Sequence, residues 1–600
     1  MDEVWEPHAR KLAGTRRRIS AGGLELEAVG GTPVVRTLDD SVIEVTLTHE
    51  DGDGSGTAGR DVRVSWLVPC TRATALWTPL TSGTHWIPAA WSPPRPASLS
   101  KGAPVASLVG SGDAGLCTFA ASRIDAVVGA GVVEETGDFH CWVQASGAVT
   151  VRIDMSGRHF ARCLADVAAW WGGGETYRIP GIARMPAYST WYSMHQNVGP
   201  ERVETQAALA KELGCEVIIV DDGWMTEDRA RGYGHCGDWE PLSLPDTAAH
   251  VERVHGLGMA YLLWYALPIV GRDSAAWKEL EPYLLRRVDF LDAGVADPRY
   301  PVVREHLAER VARSVAEWGM DGVKFDFIDW FAARDGFDPN EAYPPGPEAD
   351  CAVVSEGVQL LLAEIHARLA VAHPAAMVEN RQPYVSPGLW PYSTMIRATD
   401  CPLNPTLNRT RTLDLRLIAG PLAVHSDMLM WHPSETAEQI GVHLISVLFS
   451  VPQISVDLAA QTVEQREALA FWLSVFRGNA DVLQLGVLEP SRPELCYPIV
   501  RAHDGASMVV ARYAPLPVEV PAVGWSKLLV ANADASSIVF LLGGPEADAE
   551  AVVQDARGRR VWSGIVRLGA GSTAVDVPTG GLLTLTADSR AVLDPSIPTL

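Results

Sequence analysis

Between residues 188 and 456 the chain repeats one grammar: a short apolar run, a loop, then a longer stretch with helical periodicity. Eight such runs follow in order, at 188–192, 217–221, 260–265, 322–327, 375–380, 394–399, 423–427 and 453–456. Short apolar strands that alternate with helices build a parallel sheet covered on both faces, and eight in succession predict a closed (β/α)8 barrel. On either side the grammar changes to short alternating stretches such as Val42–Thr48, Val62–Trp66, Ser507–Tyr513 and Leu582–Thr586, separated by Gly, Pro, Ser and Asp. Alternation of that kind marks half-buried antiparallel strands. The expected fold is therefore multidomain, α/β plus all-β. A central (β/α)8 TIM barrel over 181–490 is flanked by an N-terminal β-sandwich over 1–180 and a smaller C-terminal β-sandwich over 491–600.

The barrel needs a soluble environment, and the composition agrees. Hydrophobic residues make up 47% and charged residues 20% of the 600, with a mean hydropathy of +0.05, as in ordinary globular chains. A net charge of −24 with no basic block beyond Arg16–Arg18 repels polyanions, so nucleic acid is not an expected partner. The first twenty residues carry charges throughout and lack the apolar stretch of a signal peptide. Met259–Val270, the longest nearly apolar stretch, is too short to span a bilayer. Nine cysteines with no CxxC pair and no dense framework suit a reducing compartment. The expectation is a cytoplasmic protein that does not engage a membrane.

In a barrel of this kind the reactive groups gather where the strands end and the βα loops begin. In Asp321-Gly-Val-Lys-Phe-Asp-Phe-Ile-Asp329, alternation puts Lys324 and Asp326 on one face and Phe325 and Phe327 on the other, toward the helices. A neighbouring ammonium keeps a carboxylate ionised, as a nucleophile requires; a structural ion pair at the rim is the alternative. Glu216-Val-Ile-Ile-Val-Asp-Asp-Gly-Trp224 is an apolar strand that stops at two adjacent carboxylates, Asp221 and Asp222. Such acids accept paired hydrogen bonds from a polyol, or bind a cation, or Asp222 caps a helix. In Met395-Ile-Arg-Ala-Thr-Asp400, Pro402 places Asp400 in a loop just past a strand, where it can face Asp326 across the cleft, with Arg397 near either the acid or a substrate hydroxyl.

Twenty tryptophans are a high usage. Trp191, Trp224, Trp239, Trp264 and Trp330 lie beside these acids, where an indole face can cover the C–H face of a sugar. Gly110-Ser-Gly-Asp-Ala-Gly115 fits GxGxxG but is followed by a strand, so it reads as a hairpin turn. There is no GxSxG nucleophile elbow and no HExxH. His425 and His432 read as core or loop residues.

Taken together, the chain resembles glycoside hydrolase family 36, the retaining α-galactosidases of melibiase type. The likeness is carried by Ser189-Thr-Trp-Tyr192 on the first strand, Val220-Asp-Asp-Gly-Trp224 on the second and Leu263-Trp-Tyr-Ala266 on the third. Val323-Lys-Phe-Asp326 on the fourth strand and Ile396-Arg-Ala-Thr-Asp400 on the sixth complete it. The resemblance implies Asp326 as nucleophile and Asp400 as general acid/base. It implies Asp221 and Asp222 at O4 and O6 of a galactose-like ring, with Lys324, Trp264, Tyr192, Trp191 and Arg397 lining the pocket and Trp86 of the N-terminal sandwich capping it. It implies neither a metal nor a cofactor, and its partner is a small glycoside or oligosaccharide; a homo-oligomer stays open.

Two segments depart from the family. After the fifth strand its members carry Cys-x-Ser-Gly-Gly-Gly-Arg near O2, whereas this chain reads Met377-Val-Glu-Asn-Arg-Gln-Pro383, which puts Glu379, Asn380 and Arg381 there. The acid/base segment reads Arg-Ala-Thr-Asp-Cys-Pro in place of Ser-Asp-x-x-Asp. The leading expectation is an α-galactosidase with its two carboxyl groups about 5–5.5 Å apart. The alternatives are the same fold acting on an α-N-acetylgalactosaminide or β-L-arabinopyranoside, a transglycosylase, a metal-dependent hydrolase, or a non-catalytic sugar-binding protein.

Overall fold

A computed structural model of the chain describes Leu12 and residues 14–49, 61–79, 85–332, 344–523 and 525–587. The Gly/Asp-rich stretch 51–60 and most of the first thirteen residues lie outside them.

The central sheet has eight strands: β1 (Ala187–Ser189), β2 (Val217–Val220), β3 (Ala260–Ala266), β4 (Gly322–Asp326), β5 (Met377–Arg381), β6 (Met395–Arg397), β7 (Ala423–His425) and β8 (Gln453–Ile454). Their order is 7-6-5-4-3-2-1-8, every neighbouring pair parallel. A parallel bridge between His425 and Val451 links β7 to the segment entering β8 and closes the ring. Each expected apolar run thus contains a strand. The first is shorter than its motif: β1 stops at Ser189, and Trp191–Met194 forms a short helix, so Trp191 and Tyr192 project from the mouth rather than from the strand.

Because alternate side chains face alternate sides, one inward residue fixes all the others on its strand. Ala187, Val217, Ile219, Leu262, Met377, Met395 and Ala423 form a buried apolar cluster of their own at the bottom of the barrel, separate from the large core shared with the helices. Counting up two residues from that layer puts Asp221, Trp264, Glu379, Arg397 and His425 inward. On β4 the pairing of Gly322 with Leu262 carries the same count to Lys324 and Asp326, and two residues above Glu379 it reaches Arg381. Gly322 itself has no room for a side chain: a Cβ there would sit 2.2 Å from the Met377 carbonyl oxygen, so its absence lets β4 and β5 pair closely beneath the site.

The helices are delimited by local chemistry. Pro301 opens the helix Pro301–Trp318 and Gly319, at φ +74°, ends it before β4, an ordinary proline start and glycine stop. Asn404 caps the helix Pro405–Ile418, its side chain accepting from the Leu407 N–H at 2.9 Å.

The N-terminal unit is two six-stranded sheets packed through a core that includes Trp66 edge-on to Phe119 at 5.0 Å. Gly110–Gly115 is the turn between two antiparallel strands, Val105–Gly110 and Gly115–Ala121. The C-terminal unit is a seven-stranded sheet against a three-stranded one, and it begins with Val487–Pro490, which pairs with Ile499–His503.

One buried carboxylate joins all three units. Asp414, on the barrel helix Pro405–Ile418, accepts from Trp77 Nε1 at 3.1 Å and from the Tyr497 hydroxyl at 2.5 Å, and contacts His85 Nε2 at 2.9 Å. Trp77 and His85 belong to the first sandwich and Tyr497 follows the barrel. Removing a shared acceptor strands several buried donors at once, which costs more than one hydrogen bond. Asp414→Ala is expected to lower stability by about 3 kcal/mol, read by denaturant unfolding. An unchanged midpoint would show that the node is not structural.

Candidate functional site

Parity within the barrel brings the candidate residues together at the C-terminal mouth. Asp326 ends β4 with its side chain only 14% exposed. Its Oδ2 accepts from Trp264 Nε1 at 3.1 Å, and its Oδ1 accepts from the Phe327 N–H at 2.8 Å and from Arg381 Nε. Burial alone would push this carboxyl up, but Arg381, Lys324 and Arg397 outweigh it and hold Asp326 down at about 2. The direct cation differs from the expected one: Arg381 pairs with Asp326, while Lys324 is bonded to Asp221 Oδ2.

Asp400 lies in the loop after β6, 50% exposed, and accepts from Arg397 Nη1 at 3.0 Å. The loop is fastened from behind by Arg411 of the following helix, which donates to the Thr399 and Asp400 carbonyls at 3.1 and 2.8 Å, and by the Thr399 N–H, which donates to Gln382 Oε1 at 3.2 Å. The same Arg397 Nη1 donates to Asp427 Oδ1 at 2.7 Å. One guanidinium thus ties the exposed acid to a buried one.

Asp221 and Asp222 sit past β2, both buried. The Asp221 N–H donates to Thr190 Oγ1 at 3.0 Å, and the Asp222 N–H to Asp221 Oδ1 at 3.0 Å. No helix follows, so Asp222 is not an N-cap. Gln196 Nε2 donates to Asp222 Oδ2 at 2.9 Å, but Asp222 Oδ1 is buried without a hydrogen-bond partner among the described residues. Burial, with Asp221 and Asp326 adding repulsion, pushes Asp222 up to about 7 against the Gln196 hydrogen bond.

Other expectations are corrected. Asn380 faces outward by the same parity that brings Glu379 and Arg381 inward: its Nδ2 donates to Ser393 Oγ at 2.5 Å among Leu389, Trp390, Leu415 and Ile418, so it is packing and not pocket. Phe327 does not meet the helices. The strand ends at Asp326, and Phe327 at φ +64° turns its ring onto Tyr233 and Trp330, under the Arg381 guanidinium. Trp224 and Trp239 stack together at 5.9 Å, wholly buried, and Trp224 Nε1 donates to the Trp264 carbonyl. They brace β3 instead of offering a face to a ligand.

Trp191 stands edge-on to His195 at 4.8 Å, and Trp330 lies under Arg286. The Tyr192 hydroxyl donates to Asp427 Oδ2 at 3.1 Å. Trp86 is 64% exposed, with no hydrogen bond or ring contact to the acids among the described residues.

The sequence reading missed Asp427, although it stands two residues past β7, as Asp222 stands two past β2. Burial, then Asp400, push Asp427 up to about 6 despite Arg397. Gln196 gave no signal at all. Glu379, expected near O2, lies deeper, wholly buried, accepting from Gln453 Nε2 at 2.5 Å with Arg397 Nε at 3.9 Å. Among the described residues no group of three or more His, Cys, Asp or Glu is arranged to hold a metal ion, and no helix is long and apolar enough to cross a membrane.

The raised Asp222 has a sign that can be checked. Unfolded, the carboxyl loses its proton near 4, whereas the folded chain keeps it until about 7. Its contribution is favourable below pH 4 and is lost as pH rises through 7. The stability difference between Asp222→Asn and the parent should therefore grow in favour of the variant from pH 4 to pH 7 and then level off. A difference independent of pH in thermal unfolding would contradict the shift.

No family model matches the chain. Among curated proteins it is similar to the α-galactosidase Mel36A of Lactobacillus acidophilus, 24% identical over 173 residues, which are 27% of this chain and 22% of that one. It is also similar to an α-galactosidase of Escherichia coli, 26% identical over 164 residues, 25% of this chain and 23% of that one. The matched stretch spans about a fifth of the length of these relatives. Among solved structures, the family 36 α-galactosidase AgaA of Geobacillus stearothermophilus superposes with a TM-score of 0.63 at 14% identity, over 94% of this chain and 82% of that one. Variants of AgaA have been solved with stachyose and with raffinose. The α-galactosidase TtGalA of Thermus thermophilus, in complex with p-nitrophenyl α-D-galactopyranoside, gives a TM-score of 0.54 at 17% identity, over 82% of this chain and 98% of that one. In its fold, a barrel between two β-sandwiches, the chain is α-galactosidase-like, of the kind found in glycoside hydrolase family 36.

Proposed function

We propose that the chain is a retaining exo-acting glycoside hydrolase that removes terminal α-galactosyl residues. The observation that carries the reading is the pair of unlike carboxylates at one barrel mouth. Asp326 is shielded, cation-flanked and held down at about 2, the state a nucleophile needs. Asp400 is half exposed on a fastened loop, open to an aglycone and to water. In the first half-reaction Asp326 attacks the anomeric carbon, the glycosidic bond breaks, and the leaving oxygen takes the proton of Asp400. In the second, Asp400 removes a proton from water, whose oxygen displaces Asp326 with inversion again, so that configuration is retained overall.

The sugar's identity rests on Asp221 and Asp222. The buried Asp222 Oδ1, without a partner among the described residues, is an acceptor suited to a hydroxyl, and an axial O4 beside O6 presents two donors on the same side of the ring. A gluco-configured ring turns O4 away and leaves a buried acceptor poorly paired. Oligosaccharides of the kind bound by the AgaA variants are the substrate class we assign. All nine cysteines are unpaired, which supports a reducing, cytoplasmic location.

On nitrophenyl glycosides, α-galactoside is expected to exceed α-glucoside by roughly a hundredfold in kcat/KM; equal rates would sink the O4 assignment. Asp326→Ala is expected to abolish turnover of every substrate. Asp400→Ala should keep the first step on aryl substrates with good leaving groups, and azide should restore turnover as a glycosyl azide. Equal loss on all substrates without azide rescue would show that Asp400 is not the acid/base.

A further inference from the structure

The nucleophile's two oxygens are held unequally. Oδ1 accepts from both the Phe327 N–H and Arg381 Nε, while among the described residues Oδ2 has the Trp264 indole N–H alone, at 3.1 Å. Oδ2 is therefore the freer oxygen and the one placed to form the glycosyl ester. Arg381 is built in rather than draped: its Nη1 donates to the Gln382 carbonyl at 2.8 Å, and its guanidinium lies 5.5 Å from the Phe327 ring centre and 5.7 Å from that of Tyr384. Its side chain is 14% exposed. A side chain used only to bind sugar would be expected to present its donors to the cleft, but this one directs Nε at a protein carboxylate.

A cation fixed on the non-bonding oxygen has opposite effects on the two half-reactions. Before attack it withdraws charge and weakens the nucleophile. In the ester it stabilises the carboxylate that must leave, because breaking the C1–Oδ2 bond returns an electron pair to a group whose other oxygen is already ion-paired. Resting on the reading of Asp326 as an α-galactosidase nucleophile, we propose that Arg381 is a positioning residue that makes breakdown of the glycosyl-enzyme fast relative to its formation.

The other charged groups facing Asp326 are Lys324 on its own strand, Arg397 on β6, Asp222 past β2 and Asp329 on the turn after β4. Neither of the two other cations is bonded to the carboxylate: Lys324 is engaged by Asp221, and Arg397 by Asp400 and Asp427. Among the described residues Arg381 is thus not duplicated.

The test compares the parent with Arg381→Met and Arg381→Lys on p-nitrophenyl α-galactoside by rapid mixing. The parent should release nitrophenol without a burst. Arg381→Met should show a burst approaching one equivalent, with kcat and KM falling together by roughly 10- to 100-fold so that kcat/KM changes little. Mass spectrometry of the quenched variant should find the sugar on the peptide carrying Asp326. The acidic limb of its kcat/KM profile should move up from about 2 toward the ordinary carboxylate value. Arg381→Lys should keep much of the parent's behaviour and also controls for folding.

An active parent whose folded Arg381→Met variant shows no burst, and instead a raised KM at unchanged kcat, would overturn the role of Arg381 alone. A parent inactive on every α-galactoside would overturn the galactosidase reading and the proposal with it.

Discussion

The site depends on a geometric constraint, the two-residue pleat of a closed parallel barrel. Once the apolar side chains of the bottom layer are committed inward, a strand can add a polar group to the mouth only at every second position. Asp221, Trp264, Lys324, Asp326, Glu379, Arg381 and Arg397 all obey that count, and Asn380, one residue out of step, is sealed against Leu415 and Ile418. The pleat also sets depth. Glu379 is one step below Arg381 on the same strand, so it reaches Gln453 and the interior, while Arg381 reaches the cleft.

Putting so many ionisable groups in one place has an electrostatic cost that the barrel meets by pairing. Lys324 serves Asp221, Arg381 serves Asp326, and Arg397 divides itself between Asp400 and Asp427. Where burial outweighs that pairing, in Asp222, Glu379 and Asp427, the affinity for protons rises, even though Asp427 shares Arg397. The mouth therefore holds carboxylates of unlike character within one polar layer, which is the general condition for dividing acid and nucleophile roles between chemically identical groups.

Much of this was legible in the chain. The eight strands follow from the spacing of apolar runs, because a parallel strand covered on both faces starts apolar and takes polar residues only toward its mouth end. The sandwiches follow from alternation. The ends of strands were harder to read, since Phe327 and the Trp191–Met194 turn leave the strand geometry through backbone angles that composition does not reveal. The partner of each acid was harder still. Lys324 is two residues from Asp326 in sequence and on the same face, yet its ammonium reaches across the mouth to Asp221. Arg381, fifty-five residues away, takes its place on Asp326, and only the register of β4 against β5 brings it there. Gln196 reaches Asp222 from the loop after β1, a route with no pattern to read.

The node at Asp414 bears on how such an architecture changes over time. A carboxylate shared by an indole and an imidazole from one unit and a phenol from another turns the three units into a single inheritance. A barrel transplanted without its neighbours would carry a charge facing a wall with no donors, and a sandwich exchanged for another would have to supply an indole and an imidazole at the same two points. Loops at the mouth are free to drift and alter what the cleft accepts. The seam behind them is not, and it ties the age of the barrel to that of its flanking sheets.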